Sequence, residues 1–137
     1  MELNEISGAV VDAAMKVHTA RGPGLLESVY QKCLQHELQK RGLEVKSEVW
    51  LPVVYDGMEI EGGYKVDLIV NNCVIVELKV VEHLLEVHKA QLLSYLRLSG
   101  KELGLLINFN VAHLKDGIKR IVNSRPSASS AYSAVVG

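Results

Sequence analysis

The chain has 137 residues, a net charge of −1 at pH 7 and 48% hydrophobic residues. A chain of this length can bury most of its apolar surface in one core, so a single domain is expected. The near-neutral charge argues against a protein that coats nucleic acid or an acidic membrane through bulk charge, so any contact with nucleic acid must be local.

The cysteines and the hydropathy pattern indicate a soluble, cytoplasmic protein with no membrane partner. Cys33 and Cys73 lie far apart with no Cys/His cluster around either, which argues against a zinc site or a disulfide framework. Residues 1–18 lack a basic segment followed by an uninterrupted apolar core, and no later stretch stays apolar over the length of a membrane span.

Two helices are predicted first. Apolar residues recur at helical spacing from Leu3 to about Thr19, and the sequence RGPG at 21–24 ends that helix. A second helix is predicted from about Leu25 to Lys40, because proline and glycine can open a new helix there and Gly42 closes it. Its predicted inward residues are Leu26, Val29, Tyr30, Cys33, Leu34 and Leu38.

Three strands follow, because the apolar spacing changes to two after Gly42. Residues 43–55 form the first strand, in which Pro52 is tolerated best at a sheet edge or a bulge. The second strand is predicted at about Glu59–Val70 and the third at Val74–Val80.

The rest of the chain is predicted as a helix, a strand and a second, short helix. Residues 82–100 have helical spacing, and the apolar run 102–109 suits a buried fourth strand. Residues 110–123 are predicted to form a short basic helix, and 124–137 a flexible tail rich in small and polar residues. The order is therefore α-α-β-β-β-α-β, with one domain at 1–123.

Three charges interrupt the apolar hairpin 66–79, namely Asp67, Glu77 and Lys79. A two-residue turn at Asn71-Asn72 would place Asp67 on one face and the other two on the opposite face. A three-residue loop, Val70–Asn72 with Asn72 left-handed, places all three on one face with Lys65, Ile69 and Ile75. Burial favours the second register, because an opposite face without charge results. That apolar face comprises Val66, Leu68, Val74, Val76, Leu78 and Val80.

Two interpretations of this cluster remain open from the residues alone. In the first, Lys65 and Lys79 neutralise Asp67 and Glu77 in a salt-bridge ladder on a half-exposed face. In the second, the two carboxylates supply oxygen ligands to Mg²⁺, and the amine steadies a water or hydroxide.

The pattern Asp67-x₉-Glu77-Leu78-Lys79 resembles the PD-(D/E)XK nuclease superfamily, and GLLESVY at 24–30 resembles its GxxExxY branch. Val66 stands where that superfamily's motif has proline. The resemblance covers about Leu3 to Asn123. It implies an α/β (α+β) fold with a restriction-endonuclease-like core, in which helices flank a mixed four-stranded sheet.

The resemblance also implies roles for particular residues. Asp67, Glu77 and the Leu78 carbonyl would bind Mg²⁺ or Mn²⁺, and Lys79 would position or deprotonate the attacking water. Glu27 would add a further carboxylate; its alternative is a first-turn glutamate favoured by the helix dipole.

The third helix carries a polar stripe at helical spacing. Gln91 and Tyr95 resemble the Q-x-x-x-Y element of exonuclease-like branches, which implies catalysis for Gln91 and substrate binding for Tyr95. His88 is a candidate phosphate contact. A solvated polar face is the alternative for this stripe. Basic residues of the terminal segment, either flanking a substrate backbone or forming a polar helix face, are Lys115, Lys119 and Arg120.

The predicted function is metal-dependent hydrolysis of phosphodiesters, with DNA as the expected substrate from the resemblance. The presence of all three residues of the Asp-Glu-Lys motif favours an intact site. The alternatives are a non-catalytic binding or assembly module with the same fold, and a hydrolase of small phosphate esters. Because no dedicated DNA-binding domain is expected, a homo-oligomer or a partner protein would help to deliver the substrate.

Overall fold

The structure is a computed structural model, and it describes residues 1–124. The described chain contains three helices, five strands and a short 3-10 turn. The helices are α1 (Leu3–Arg21), α2 (Glu27–Lys40) and α3 (Glu86–Ser99), and the strands are β1 (Val45–Tyr55), β2 (Met58–Val70), β3 (Val74–Lys79), β4 (Leu103–Asn108) and β5 (Ile118–Val122), with the 3-10 turn at Leu114–Gly117.

The five strands form one mixed sheet in the order β1-β2-β3-β4-β5. Strands β3 and β4 are parallel, and all other neighbours are antiparallel. Helix α3 connects the two parallel strands, because a parallel pair requires a crossover connection. The predicted α+β class with a mixed sheet is confirmed, but the sheet has five strands and not four.

The additional strand replaces the short basic helix predicted for residues 110–123. Strand β5 pairs antiparallel with β4, from Leu103↔Val122 to Ile107↔Ile118. This pairing gives the open edge of β4 backbone partners that an isolated short helix would not supply. Gly117 allows the turn, because a Cβ atom there would collide with the backbone oxygen of Asn108.

Helices cover both faces of the sheet. Helices α1 and α2 pack on one face, where Tyr30, Leu34 and Leu38 of α2 meet the alternate residues of β3 and β4. Helix α3 packs on the other face through Leu92 and Leu96. The first cluster includes Leu68, Val74, Val76, Leu78, Leu103, Leu105 and Ile107, and the second includes Ile69, Ile75 and Leu106.

The inward face of α2 differs from the prediction at its first turn. Leu26 is 72% exposed and Val29 is 40% exposed, although both were predicted to face the core. Leu26 precedes the helix in an extended conformation, and Leu25 packs against the core in its place. Val29 is one residue, or about 100°, away from the buried row that begins at Tyr30.

Strands β1 and β2 extend well beyond the rest of the sheet. Strand β3 pairs only with Leu68–Val70 of β2, so residues 49–66 form a two-stranded β-ribbon. The predicted edge position of Pro52 is confirmed, because β1 is an edge strand and its register shifts between Leu51 and Val53.

Within residues 1–124, no helix is both long and apolar enough to cross a membrane. The cytoplasmic location stays a prediction, as does the domain boundary at residue 123. Of the tail predicted at 124–137, all residues after Ser124 lie outside the described part of the chain.

Candidate active site

The β2–β3 hairpin places Asp67 and Glu77 opposite each other. Val70 pairs with Val74, so the connection is the three-residue loop 71–73 and not the predicted Val70–Asn72. Both asparagines of the loop have a positive φ, 49° at Asn71 and 55° at Asn72. The same register, continued past Leu68↔Val76, sets residue 67 against residue 77. Their predicted position on one face is therefore confirmed.

The carboxylates of Asp67 and Glu77 accept hydrogen bonds from backbone N–H groups where the pairing of β2 with β3 ends. The last paired residues of the hairpin are Leu68 and Val76. Beyond them the backbone N–H of Asp67 donates to Oε1 of Glu77 at 2.8 Å, and the N–H of Leu78 donates to Oδ2 of Asp67 at 2.8 Å. Side-chain oxygens thus accept from backbone N–H groups at the end of the β2–β3 pairing.

The alternation of side chains along β2 is interrupted at Asp67. Leu68 packs in the cluster under α1 and α2, whereas Val66 packs with the cluster under α3. Glu48, the residue of β1 that would pair with Asp67, has a φ of 51° and is missing from an otherwise regular register. The pairing of β1 with β2 continues in the same register on both sides of this irregularity, from Ser47↔Leu68 to Val49↔Val66. The side chains of Val66 and Leu68 nevertheless lie on opposite faces of the sheet. The prediction that Val66 shares a face with Leu68 is therefore wrong.

Burial leaves this pair of carboxylates with unfavourable negative charge. Glu77 is only 5% exposed, and its burial, followed by the charges of Asp67 and Glu27, raises its pKa to about 8. Burial also raises the pKa of Asp67, against the hydrogen bond from Leu78 and the charge of Lys79. In the absence of metal, burial and mutual repulsion therefore favour a bound proton on this pair of carboxyl groups.

Lysine residues do not neutralise this pair through direct contact. Within residues 1–124, no ion pair of 4.0 Å or less joins Lys79 to either carboxylate. The charge of Lys79 nevertheless lowers the pKa of both. Lys65 pairs with Glu48 at 3.6 Å and lies over the ring of Trp50. The salt-bridge ladder is not formed.

Glu27, the first residue of α2, lies at the border of the cluster. Burial raises the pKa of its carboxyl group, the charge of Asp67 raises it further, and Lys79 lowers it. The preceding loop is held by Tyr30, whose hydroxyl donates to the Gly22 carbonyl and accepts from the Leu25 N–H at 3.1 Å. The side chain of Glu27 is exposed, so it borders the cluster and is not enclosed in it.

Helix α3 supplies Tyr95 to the same region. Tyr95 is 4% exposed, and burial with the charges of Glu77 and Asp67 raises its pKa to about 12. A side-chain hydrogen bond with Gln91 acts in the opposite direction. Tyr95 therefore lies near the carboxylates, and Gln91 is hydrogen-bonded to it.

The histidine of the α3 stripe has a structural contact. Nδ1 of His88 accepts a hydrogen bond from the N–H of Leu85 at 3.0 Å and so caps the start of the helix. Its predicted contact with phosphate stays a prediction. Leu85 is 55% exposed, so it does not belong to the buried apolar row of α3 that contains Leu92 and Leu96.

A family model of the PD-(D/E)XK nuclease superfamily matches residues 4–121. The chain belongs to this superfamily. No curated protein and no solved structure matches the chain significantly. Membership supports a nuclease acting on nucleic acid, and nucleases of this superfamily generally use divalent metals. The narrower GxxExxY branch, inferred from residues 24–30, stays a prediction.

The donor set of the PD-(D/E)XK motif fits a hard dication in its chemistry. Within the described residues, no three Asp, Glu, His or Cys side chains are close enough to hold a metal ion, so the predicted set with Glu27 is not assembled. Glu77 nevertheless presents a buried carboxylate and Asp67 a half-buried one, and each has one oxygen on a backbone N–H. Mg²⁺ is commonly held by one or two carboxylates and keeps several waters.

Two residues near this motif were missed by the sequence reasoning. Asn108 is 1% exposed; its Oδ1 accepts from the Val81 N–H at 3.1 Å and its Nδ2 donates to the Val81 carbonyl at 2.8 Å. A lone asparagine in an apolar strand was the available signal. Tyr64 lies with its ring 5.3 Å from that of Tyr95, and no sequence pattern indicated this contact.

Proposed function

We propose that this chain is a metal-dependent nuclease that hydrolyses phosphodiester bonds, with DNA as its substrate. One observation carries the proposal: the buried carboxylate of Glu77 and the half-buried carboxylate of Asp67 meet where β2 and β3 stop pairing, and no lysine pairs with them among the described residues. A folded chain keeps such a pair when it binds a cation or a proton. The choice of DNA rests on the family resemblance alone.

Asp67, Glu77 and the carbonyl of Leu78 are the residues that would hold Mg²⁺ or Mn²⁺. When bound, the metal would lower the pKa of a water molecule and offset the charge that develops on the phosphate. The raised pKa values of both carboxyl groups support this assignment, because a dication favours their charged forms. Glu27 would support the site from α2.

Lys79 follows this pair on β3 and is half-buried. Its ammonium group would position the attacking water and donate hydrogen bonds to a phosphate oxygen. Its charge lowers the pKa of three carboxyl groups, those of Glu27, Asp67 and Glu77, which supports this role. Gln91 would orient a water or a phosphate oxygen, and Tyr95, held beside it, would border the substrate.

The test is cleavage of labelled single-stranded and double-stranded DNA and RNA with Mg²⁺, Mn²⁺ or a chelator. The parent protein should cleave at least one DNA substrate only when metal is present. Asp67→Asn and Lys79→Ala should each reduce cleavage by about a hundredfold or more, since each removes a charge that acts on the transition state. Asp12→Asn, an exposed carboxylate on α1, is the matched control.

A non-catalytic binding or assembly module is the second candidate. The observation that favours it is the set of backbone hydrogen bonds that already occupies Asp67 and Glu77, without a third ligand side chain within reach among residues 1–124. Binding of nucleic acid without cleavage in any metal would support this candidate. The same experiments, run with sedimentation analysis, test the proposed homo-oligomer or partner protein.

A further inference from the structure

An exposed aromatic side chain lies beside the candidate active site. Tyr64 is on β2, three residues before Asp67, and it is 39% exposed. Its ring lies 5.3 Å from that of the buried Tyr95, at an angle of 56°. One side of the ring is therefore supported by a fixed neighbour, while the side chain as a whole remains accessible to solvent.

The exchange of faces at Asp67 directs this part of β2 toward α3. Leu51, the partner of Tyr64 on β1, packs in the same cluster as Val66 and Tyr95. The carboxylates of Asp67 and Glu77 act on Tyr95 from the same region. Three residues of a strand span about 10 Å, which is within the reach of one nucleotide from its phosphate to its base.

The charge of the β-ribbon disfavours a second phosphate backbone. Exposed carboxylates lie at the tip of the ribbon and just after it, at Asp56, Glu59 and Glu61. Lys65, the lysine within the ribbon, is paired with Glu48. An acidic ribbon repels the second strand of a duplex, whereas stacking on an aromatic ring needs no positive charge.

We propose that Tyr64 is a stacking site for an unpaired base of the nucleotide whose phosphate lies at Asp67 and Glu77. Stacking on an aromatic side chain tolerates any base, so the site selects for single-stranded or frayed nucleic acid and not for sequence. The proposal rests on the proposed function for the position of the phosphate. It adds a substrate class, defined by unpaired bases, to that function.

The test measures binding, so that it does not depend on turnover. Fluorescence anisotropy gives the Kd of the full chain for a labelled single strand, a blunt duplex and a strand of abasic residues, with Ca²⁺ as the metal. The abasic strand keeps every phosphate and removes every base. DNA and RNA versions of each are compared, and the protein variants are Tyr64→Leu, Tyr64→Phe and the control Tyr55→Leu, at the exposed ribbon tip.

Tyr64→Leu should weaken binding to the normal single strand by about tenfold, because one stacked base is lost. The same variant should bind the abasic strand and the duplex within about twofold of the parent protein. Tyr64→Phe should keep the parent affinity, and Tyr55→Leu should change nothing. A purely structural role for Tyr64 would weaken binding to all three ligands alike.

Equal weakening of normal and abasic strands by Tyr64→Leu would overturn the stacking site, as would parent binding to the duplex that is as tight as to the single strand. If the parent binds no nucleic acid, both this inference and the proposed function fail. If Tyr64→Leu weakens binding to the normal strand only, but Asp67→Asn leaves cleavage unchanged, the proposed active site and the assigned position of the phosphate fail, while base stacking on Tyr64 stands.

Discussion

The backbone N–H of Asp67 donates a hydrogen bond to Oε1 of Glu77 at 2.8 Å, across the point where β2 and β3 stop pairing. A side-chain carboxylate thus accepts from the neighbouring strand. The carboxylate of Asp67 accepts in turn from the backbone N–H of Leu78, the residue that follows Glu77. A metal ion that binds here must displace the proton that burial favours on this pair, so metal binding, protonation and stability are linked and can be measured together.

Divalent metal should stabilise the fold. At about a hundred times the dissociation constant, Mg²⁺ or Mn²⁺ should raise the free energy of unfolding by about 2.7 kcal/mol, because the metal binds the native state preferentially. Asp67→Asn and Glu77→Gln should abolish this gain, whereas Lys79→Ala should keep it and lose cleavage. Thermal melts with and without Mn²⁺ measure the effect.

Asp12→Asn serves as the control in these melts, because its exposed carboxylate lies on α1. It should respond to metal as the parent does. A parent protein whose melting temperature ignores both metals would speak against a metal centre and for the non-catalytic module.

In the absence of metal, the protein should lose stability as the pH rises from about 4.5 to about 8. Burial raises the pKa of Glu77 to about 8 in the folded state from its ordinary value of 4.5. The folded protein then binds more protons than the unfolded chain in this window, so this group lowers stability by at most about 1.4 kcal/mol per pH unit. Urea unfolding at several pH values measures the slope.

Glu77→Gln should make this slope shallower and should stabilise the metal-free protein at pH 8, because the amide needs no proton to be neutral. A variant that is less stable than the parent at pH 8, with the slope unchanged, would mean that Glu77 is not the group that titrates.

Asn108→Ala should destabilise the protein by roughly 1–3 kcal/mol, because the N–H and carbonyl of Val81 lose their partner. Val81 lies two residues after Lys79, so we expect cleavage to fall as well. Urea unfolding and initial cleavage rates measure the two effects. Asn110→Ala, at an exposed neighbouring position, should leave both unchanged; equal stability of the two variants would contradict the prediction.

Tyr30→Phe should lower the free energy of unfolding by about 1–3 kcal/mol, because its hydroxyl bonds both to the Gly22 carbonyl and to the Leu25 N–H. The loop that these bonds hold leads into Glu27, so metal affinity should fall as well. Isothermal titration with Mn²⁺ measures that affinity. As a control, Tyr55→Phe removes an exposed hydroxyl at the ribbon tip and should change neither stability nor metal affinity. Unchanged stability of Tyr30→Phe would contradict the prediction that the Tyr30 hydroxyl stabilises this loop.

The spacing of apolar residues along the sequence was sufficient to predict most helices and strands of this protein and the common face of its two central carboxylates. Helices α1, α2 and α3 and strands β1 to β4 all occur where apolar spacing predicted them. The common face of Asp67 and Glu77 also followed from the sequence, because side chains alternate along a strand and a one-residue slip would bury charge in the core. The superfamily motif agreed with that register.

Only the tertiary structure decided the remaining features, because each depends on groups that are distant in sequence. Strand β5 forms since β4 offers an open edge, and Val66 changes faces where Glu48 of β1, opposite Asp67, interrupts the regular pairing. The carboxylates accept from backbone N–H groups, and Tyr64 meets Tyr95 from another element. Local spacing describes one segment at a time, whereas burial, pairing and pKa depend on which segments meet.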